Sequence, residues 1–215
     1  MAAADNPSRD AILGRIRAAL QSVAPPPEQP QGTDLFPPVG ELVERFGTEC
    51  ASNLVECIHT ANLRDSAEAL AVIFASLPDG GIYVEDTPGL RNLVSTPATS
   101  RQIQWSTQGR AAESSQATVT TAQCLIAATG SIVVSSSRGG RGGSVVAPCH
   151  IVYATTKQLV PSLDAAMSHL YATDAPGRNS FIGLVTGSSR TADIEKILVL
   201  GAHGPRRVVV ILEDS

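Results

Sequence analysis

The sequence predicts an α/β protein with a largely parallel, doubly wound sheet. Short segments rich in Val, Ile and Leu alternate along the chain with amphipathic helical segments, which is typical of strands joined by crossover helices. The chain has 215 residues, 43% of them hydrophobic, and this length suffices for one domain with a real core plus a tail.

The first 23 residues predict a helix, with Ser8 as its N-cap and apolar residues from Ile12 to Leu20 at helical spacing. Residues 24–40 contain six prolines and predict an extended linker. We therefore expect residues 41–215 to form the α/β domain.

Within this domain the apolar periodicity predicts seven strands and five helices. The strands are expected over 53–58, 82–84, 116–121, 131–135, 151–154, 181–185 and 208–212. The helices are expected over 41–46, 66–77, 90–94, 159–171 and 192–200.

Composition excludes several classes of protein. Sixteen basic against twenty acidic residues give a net charge of −4, which argues against nucleic-acid binding. None of the four cysteines is spaced as CxxC, which argues against a zinc ribbon, a thioredoxin motif or a ferredoxin cluster, and we expect no metal site. The start has no signal-peptide pattern and no apolar run is long enough to span a bilayer. We expect a reduced, cytoplasmic protein.

The first candidate site is the glycine-rich loop over residues 135–144, which contains Arg138 and Arg141. Glycines let the backbone approach a ligand closely, and arginine offers paired donors to a carboxylate or phosphate. The alternative is a flexible connection that arginine keeps soluble.

The second candidate site follows the strand expected over 181–185. There the carboxyl end of a strand would meet a helix N-terminus, a common place for a ligand in open α/β sheets. The alternative, compatible with the first, is simple helix capping by Ser189 or Thr191. The candidate ligand-binding residues of this segment are Gly187, Ser188, Ser189, Arg190 and Thr191.

The third candidate is His203 in the turn over residues 201–205, since histidine titrates near neutrality. His150 carries the same ambiguity between a structural and a chemical role. Cys149 precedes His150, but neighbours in a strand point to opposite faces, so we expect no thiolate dyad.

Four segments of the sequence resemble the LUD-domain family of the lactate utilization protein C type. GSSRTADIE at 187–195 is similar to the family's GPSRTADIE signature, and GAHGP at 201–205 to its GVHGP turn. AATGS at 127–131 and APCHI at 147–151 are similar to its AETGT and LPxHI elements. Ala128 stands where the family has Glu, and Ser188 where it has Pro.

The resemblance implies a fold similar to the NagB/RpiA/CoA-transferase-like group. It also implies a part in the oxidation of L-lactate to pyruvate with iron–sulfur partner proteins, this chain itself carrying no cofactor. On that basis His203, Asp193 and Glu195 are candidate catalytic residues. Thr129, Gly130 and His150 join the candidate ligand-binding residues, with a small carboxylate as a possible ligand.

Two alternatives stay open. One is a stand-alone enzyme of the isomerase or CoA-transferase scaffold, acting on a phosphorylated or CoA-linked substrate. The other is a non-catalytic scaffold, which the loss of a carboxylate at Ala128 would suit.

Overall fold

The structure is a computed structural model. It describes residues 7–21, 38–95, 101–109, 112–136, 140–173, 177, 179–191, 199–200 and 204–215. The chain divides into two compact units, Met1–Pro37 and Pro38–Ser215. In the first unit, helix α1 spans Pro7–Leu20. It begins one residue before the predicted cap Ser8, because proline has no N–H to satisfy and suits a helix start.

In the described part of the second unit, the further α-helices are α2 (Leu42–Ser52), α3 (Leu63–Ser76), α4 (Pro88–Ser95) and α5 (Leu163–Ala172). Each of these helices, α2 included, buries apolar side chains on one face. Asn62 caps α3 by accepting a hydrogen bond from the Asp65 N–H, and Ser162 caps α5 through the Ala165 N–H.

Six strands form the central sheet, and every pairing in it is parallel. Its spatial order is β1-β12-β7-β4-β2-β3. The strands are β1 (Glu56–Thr60), β2 (Ile82–Val84), β3 (Ile103–Trp105), β4 (Ala117–Thr121), β7 (Cys149–Thr155) and β12 (Arg207–Glu213). This arrangement confirms the predicted α/β class with a largely parallel sheet.

A second, mixed sheet contains β5 (Cys124–Ile126), β6 (Ser131–Ser135), β8 (Leu159–Val160) and β9 (Ile182–Val185) in the order β8-β5-β6-β9. Short strands β10 (Arg190–Thr191) and β11 (Val199–Leu200) pair with each other.

The core has three layers of side chains. One face of the central sheet packs against α3 and α4 through residues such as Ile151 and Leu70. The other face packs against α2 and the mixed sheet, where Val210 and Leu125 belong to one cluster. The outer face of the mixed sheet packs against α5 through Val133 and Leu170. Both faces of the central sheet are therefore covered.

Three predicted elements are wrong in extent or kind. The helix expected over 159–171 begins with strand β8, and the helix itself starts only at Leu163, after Pro161 and the cap Ser162. The strand expected from residue 53 starts at Glu56, since residues 53–54 reverse the chain after α2. Of the helix expected over 192–200, residues 192–198 lie outside the described residues, and 199–200 form a strand.

The strand expected over 181–185 is present as β9, but it is not a buried strand of the parallel sheet. It lies at the edge of the mixed sheet, antiparallel to β6, with Leu184 about half exposed. The residues that follow β9 therefore do not lie at the carboxyl end of a parallel strand, where a ligand was expected. Arg190 and Thr191 form strand β10, and residues 192–198 after them lie outside the described residues.

Candidate functional site

A buried histidine occupies the middle of the central sheet. His150 on β7 pairs in register with Thr118 on β4, so the two side chains share one face with Thr120. His150 is fully buried, and its Nε2 lies 2.8 Å from Thr120 Oγ1. Burial lowers the pKa of His150 to about 4, because the charged imidazolium would lose its hydration. The ring is therefore neutral at physiological pH.

Two polar atoms beside this bond have no hydrogen-bond partner among the described residues: His150 Nδ1 and Thr118 Oγ1. Buried polar atoms in folded proteins are almost always paired with protein groups or ordered water. A neutral imidazole nitrogen and a hydroxyl can each donate or accept a hydrogen bond, according to tautomer and rotor. Either atom can therefore bond to an oxygen-bearing group, from water or from a small ligand.

The glycine-rich loop covers this part of the sheet. Residues Arg141–Ser144 form a 3-10 turn after Gly140, whose φ is +66°. A Cβ at Gly143 would lie 3.5 Å from Thr120 Cγ2, so this glycine faces the partner of the buried histidine. The structure thus brings the loop to the histidine, as sequence analysis did not foresee. Arg138 lies outside the described residues, and only the backbone of Arg141 is described.

The two signature segments meet at the amino end of β7 and β12. The Ser189 N–H donates to the Pro205 carbonyl at 2.9 Å, and the Arg206 N–H donates to the Pro148 carbonyl at 2.8 Å. A Cβ at Gly204 would lie 3.1 Å from Ser189 Cβ.

These contacts place the second and third candidate sites next to the residues that lead into His150. Ser188 is buried there, and Gly187 has a φ of +99°, a conformation that favours glycine. The described backbone of Arg190 and Thr191 continues from them as β10. The candidate catalytic residues His203, Asp193 and Glu195 lie outside the described residues.

The AATGS turn connects to the same signature through hydroxyl groups. Thr129 Oγ1 lies 2.8 Å from Ser131 Oγ, which lies 2.7 Å from Thr186 Oγ1. Thr186 immediately precedes Gly187. Gly130 has a structural task, because its φ is +63° and a Cβ there would lie 2.8 Å from the backbone carbon of Glu49.

The expectation that Cys149 and His150 form no dyad is confirmed. Cys149 packs in the cluster with α3 and α4, whereas His150 lies on the opposite face of the sheet with Thr118 and Thr120. Burial also raises the pKa of the Cys149 thiol to about 11, so it stays protonated near neutral pH.

Sequence analysis missed Thr118 and Thr120. The available signal was their spacing: alternate threonines in a strand share one face, and hydroxyls on a buried face need polar partners. It also missed Glu85, a buried carboxylate just after β2 whose Oε2 accepts from the Thr121 N–H at 2.6 Å and from Thr121 Oγ1 at 2.7 Å. Burial, assisted by the charge of Glu85, raises the pKa of Tyr83.

Across the residues that the structure describes, no helix is long and apolar enough to cross a membrane. Over the same residues, no three His, Cys, Asp or Glu side chains converge in a way that could hold a metal ion.

The fold and the buried site define an α/β domain with a buried polar cluster, His150 with Thr118 and Thr120, on a parallel sheet. A sequence model of the LUD domain matches residues 44–212, so the chain belongs to the LUD-domain family. Relatives named lactate utilization protein C confirm the resemblance to that type.

Lactate utilization protein C from Geobacillus sp. (strain WCH70) is 27% identical over 188 residues, which cover 80% of this chain and 78% of that protein. The protein of the same name from Halalkalibacterium halodurans is 34% identical over 107 residues, 48% of this chain and 46% of that protein. The second alignment thus spans about half of the relative's length.

The fold matches a solved structure as well. A DUF162 family protein from Deinococcus radiodurans superimposes with a TM-score of 0.62, covering 80% of this chain and 96% of that chain. The identity is 17%, so this likeness concerns the fold alone.

Proposed function

We propose that this chain acts in lactate utilization, as a subunit that takes part in the oxidation of L-lactate to pyruvate together with iron–sulfur partner proteins in the cytoplasm. The observation that carries the proposal is that segments of the LUD-family signature are hydrogen-bonded to one another beside the strand that carries the buried His150. Relatives named lactate utilization protein C support the choice of substrate class.

The ligand that we propose for the site at His150 and Thr118 is a small 2-hydroxy or 2-oxo carboxylate. The oxygen on its second carbon would bond to His150 Nδ1 and Thr118 Oγ1, the two polar atoms without a partner among the described residues. A neutral imidazole binds an uncharged hydroxyl or carbonyl group better than it binds a carboxylate. The carboxylate of the ligand therefore needs a cation from elsewhere in the chain. Arg138, Arg141 and Arg190 are the side chains that we propose for this task.

Within the same proposal, His203, Asp193 and Glu195 are the candidates for proton transfer. The buried ligand has to enter past the glycine-rich loop, whose backbone at Gly143 faces Thr120. The AATGS turn with Thr129 would hold the segment that begins at Gly187 in place, through the hydroxyl contacts from Thr129 to Ser131 and from Ser131 to Thr186.

The cysteines support the proposal that the iron–sulfur clusters reside in partners. Cys149 packs with α3 and α4, Cys124 packs with α5, and Cys50 and Cys57 pack between α2 and the central sheet. A cluster held by four thiolates needs four cysteines at one point. This donor set does not fit such a cluster, so the electrons of lactate oxidation would leave through the partners.

The alternative of a stand-alone isomerase or CoA-transferase-like enzyme has less support. Position 128, where the family signature has Glu, is an alanine whose N–H donates to the Pro161 carbonyl at 3.1 Å. An alanine supplies neither a base nor a nucleophile. A role in binding and assembly agrees better with this position.

Gene deletion followed by complementation tests the role. We expect the deletion strain to lose growth on L-lactate while it still grows on glucose. The wild-type gene and a Val72→Ala variant, altered at an exposed position of α3, should restore growth. Unchanged growth of the deletion strain on L-lactate would contradict the proposed role.

Affinity purification from cells grown on L-lactate tests the partners. We expect cysteine-rich iron–sulfur proteins to co-purify with the tagged chain, with an absorption band near 400 nm in the eluate. The same purification from cells grown on glucose is the control. Recovery of the chain alone from lactate-grown cells would contradict the proposed complex.

A further inference from the structure

The end of helix α2 brings two cysteines of the chain together. Asn53 ends the helix, and Leu54 takes a left-handed conformation with a φ of +59°. The Val55 N–H donates to the Cys50 carbonyl at 2.9 Å and the Leu54 N–H to the Ala51 carbonyl at 3.1 Å. This pair of hydrogen bonds is the Schellman motif, which reverses the chain sharply after a helix. It sets the start of β1 directly against the last turn of α2.

As a result the thiols of Cys50 and Cys57 are hydrogen-bonded to each other and pack in one apolar cluster. Cys50 is fully buried, whereas Cys57 is partly exposed on β1 at the edge of the central sheet. Both are free thiols. The Cys50 thiol also lies 4.0 Å from the Gly130 carbonyl oxygen, so it can donate there instead.

The two thiols differ in their readiness to ionise. The hydrogen bond from Cys50 lowers the pKa of Cys57, because it stabilises the thiolate. The same hydrogen bond, followed by burial and by the negative charge of Glu49, raises the pKa of Cys50 well above its usual value. A partly exposed thiol whose pKa is lowered, beside a buried thiol whose pKa is raised, is the arrangement of an attacking and a resolving cysteine.

We propose that Cys50 and Cys57 form a reversible redox pair, which hydrogen peroxide oxidises to a disulfide between α2 and β1. The Cys57 thiolate attacks one peroxide oxygen, the O–O bond breaks, and the released hydroxide takes up a proton to leave as water. The sulfur of Cys57 becomes a sulfenic acid.

Cys50 then attacks that sulfur as its own proton moves to the departing hydroxyl, which leaves as a second water. Two thiols lose two electrons, and one peroxide gains them. A dithiol reductant reverses the step.

The pair is coupled to the AATGS turn. A disulfide consumes the Cys50 hydrogen, so the contact with the Gly130 carbonyl loses its donor. The backbone of Gly130 packs so near Glu49 and Cys50 that a Cβ on Gly130 would lie 2.9 Å from the Cys50 backbone nitrogen. Movement of Cys50 toward Cys57 therefore loosens the turn that holds Thr129, and through Ser131 the segment before Gly187.

Peptide mapping of the full chain tests the pair directly. Trypsin yields a peptide over Phe46–Arg64 that contains both Cys50 and Cys57 and neither other cysteine. After treatment with hydrogen peroxide, denaturation and N-ethylmaleimide labelling, this peptide should take up no maleimide and be about 2 Da lighter than its reduced form. Cys124 and Cys149 should remain labelled. Two maleimides on the 46–64 peptide after oxidation would overturn the proposal.

Variants assign the two roles. Cys50→Ser should stop the reaction at a sulfenic acid on Cys57, which dimedone traps, whereas Cys57→Ser should abolish the reaction with peroxide. Cys124→Ser is the control and should oxidise like the wild type. If Cys50→Ser does not fold, dimedone present during oxidation of the wild type should trap the transient sulfenic acid on Cys57 and serve the same purpose. Oxidation of Cys57→Ser at the wild-type rate would contradict the assignment.

Hydrogen exchange tests the coupling. Amides over residues 129–131 should exchange several-fold faster in the disulfide form than in the dithiol form, while amides in β7 stay unchanged. Equal exchange in the two forms would show that the thiols do not act on the turn and would overturn that part of the proposal.

Discussion

His150 Nε2 lies 2.8 Å from Thr120 Oγ1, and this bond joins the two neighbouring parallel strands β7 and β4 on the face that meets the glycine-rich loop. It fixes the orientation of a fully buried imidazole while leaving the other ring nitrogen without a partner among the described residues. The ring is thus held by the protein on one side and available to another group on the other. This relationship underlies the proposed ligand site.

The first prediction concerns pH. The unfolded chain binds a proton on His150 near the usual pKa of 6.5, whereas the folded chain binds it only near pH 4. Between these values the unfolded state holds more protons, so a fall in pH favours unfolding. The stability that the neutral His150 contributes is fully present above pH 6.5 and is lost as the pH falls from 6.5 to 4. We expect His150 to account for a decrease of roughly 3 kcal/mol in the free energy of unfolding.

Urea unfolding at several pH values, compared between the wild type and His150→Gln, measures this effect. The difference between the two proteins isolates the histidine from the carboxylates that titrate in the same range. Parallel stability curves for the two proteins from pH 7 to pH 4 would refute the assignment of a neutral buried imidazole.

The second prediction contrasts two threonines on the same strand. Thr120→Val removes the partner of His150 Nε2 and should cost about 1–3 kcal/mol of unfolding free energy, since it leaves a buried polar atom unpaired. Thr118→Val removes a hydroxyl that has no partner among the described residues, so it should leave the stability of the ligand-free chain unchanged or raise it by up to about 1 kcal/mol. Thermal unfolding of the two variants checks the contrast, and equal losses would contradict it.

The third prediction concerns Gly130. Alanine there has to adopt a φ of +63° and brings its Cβ within 2.9 Å of backbone atoms of Glu49 and Cys50, so Gly130→Ala should cost at least about 2 kcal/mol. Gly47→Ala is the matched control, because Gly47 lies inside α2 with open space around it. It should stabilise the chain by about 0.5–1 kcal/mol. The same sign for both variants in denaturant unfolding would be inconsistent with the structure.

The fourth prediction concerns Leu54, which adopts a left-handed conformation while its side chain is more than half exposed. Leu54→Gly should stabilise the fold by about 1 kcal/mol, because glycine adopts this conformation without steric strain. Leu54→Ala keeps the Cβ and should change stability by less than about 0.5 kcal/mol. Urea unfolding measures both variants. A loss of stability in Leu54→Gly would contradict the prediction, because the leucine side chain would then stabilise the fold by more than its left-handed backbone conformation destabilises it.

Much of the fold could be predicted from the sequence. Strands Ile82–Val84 and Ser131–Ser135 have the predicted bounds, and helix α3 differs by three residues at its start. These segments have clear apolar periodicity and turn residues at their ends, so local signals suffice. The short strands β3 and β5 went unpredicted, because three-residue segments carry no periodicity and depend on tertiary pairing.

The assignment of strands to sheets could not be predicted. Strand β9 lies at the edge of the mixed sheet, but its local sequence does not distinguish it from the strands of the parallel sheet. A ligand site at the carboxyl end of a parallel strand was therefore expected at the wrong strand. The candidate site was predicted only as separate segments. That Gly143 faces Thr120, and Thr120 bonds His150, follows from a strand pairing across 30 residues, which no single motif encodes.

The most direct test of the proposed site is the imidazole signal of His150 in ¹⁵N NMR while L-lactate or pyruvate is titrated into the protein. We predict a saturable shift of the His150 nitrogens with at least one of these ligands, larger at Nδ1 than at Nε2, with His59 and His169 unmoved. In Thr118→Val the same titration should require several-fold more ligand. A His150 signal that stays unchanged up to high concentrations of lactate and pyruvate would contradict the claim that the site at His150 and Thr118 binds a 2-hydroxy or 2-oxo carboxylate.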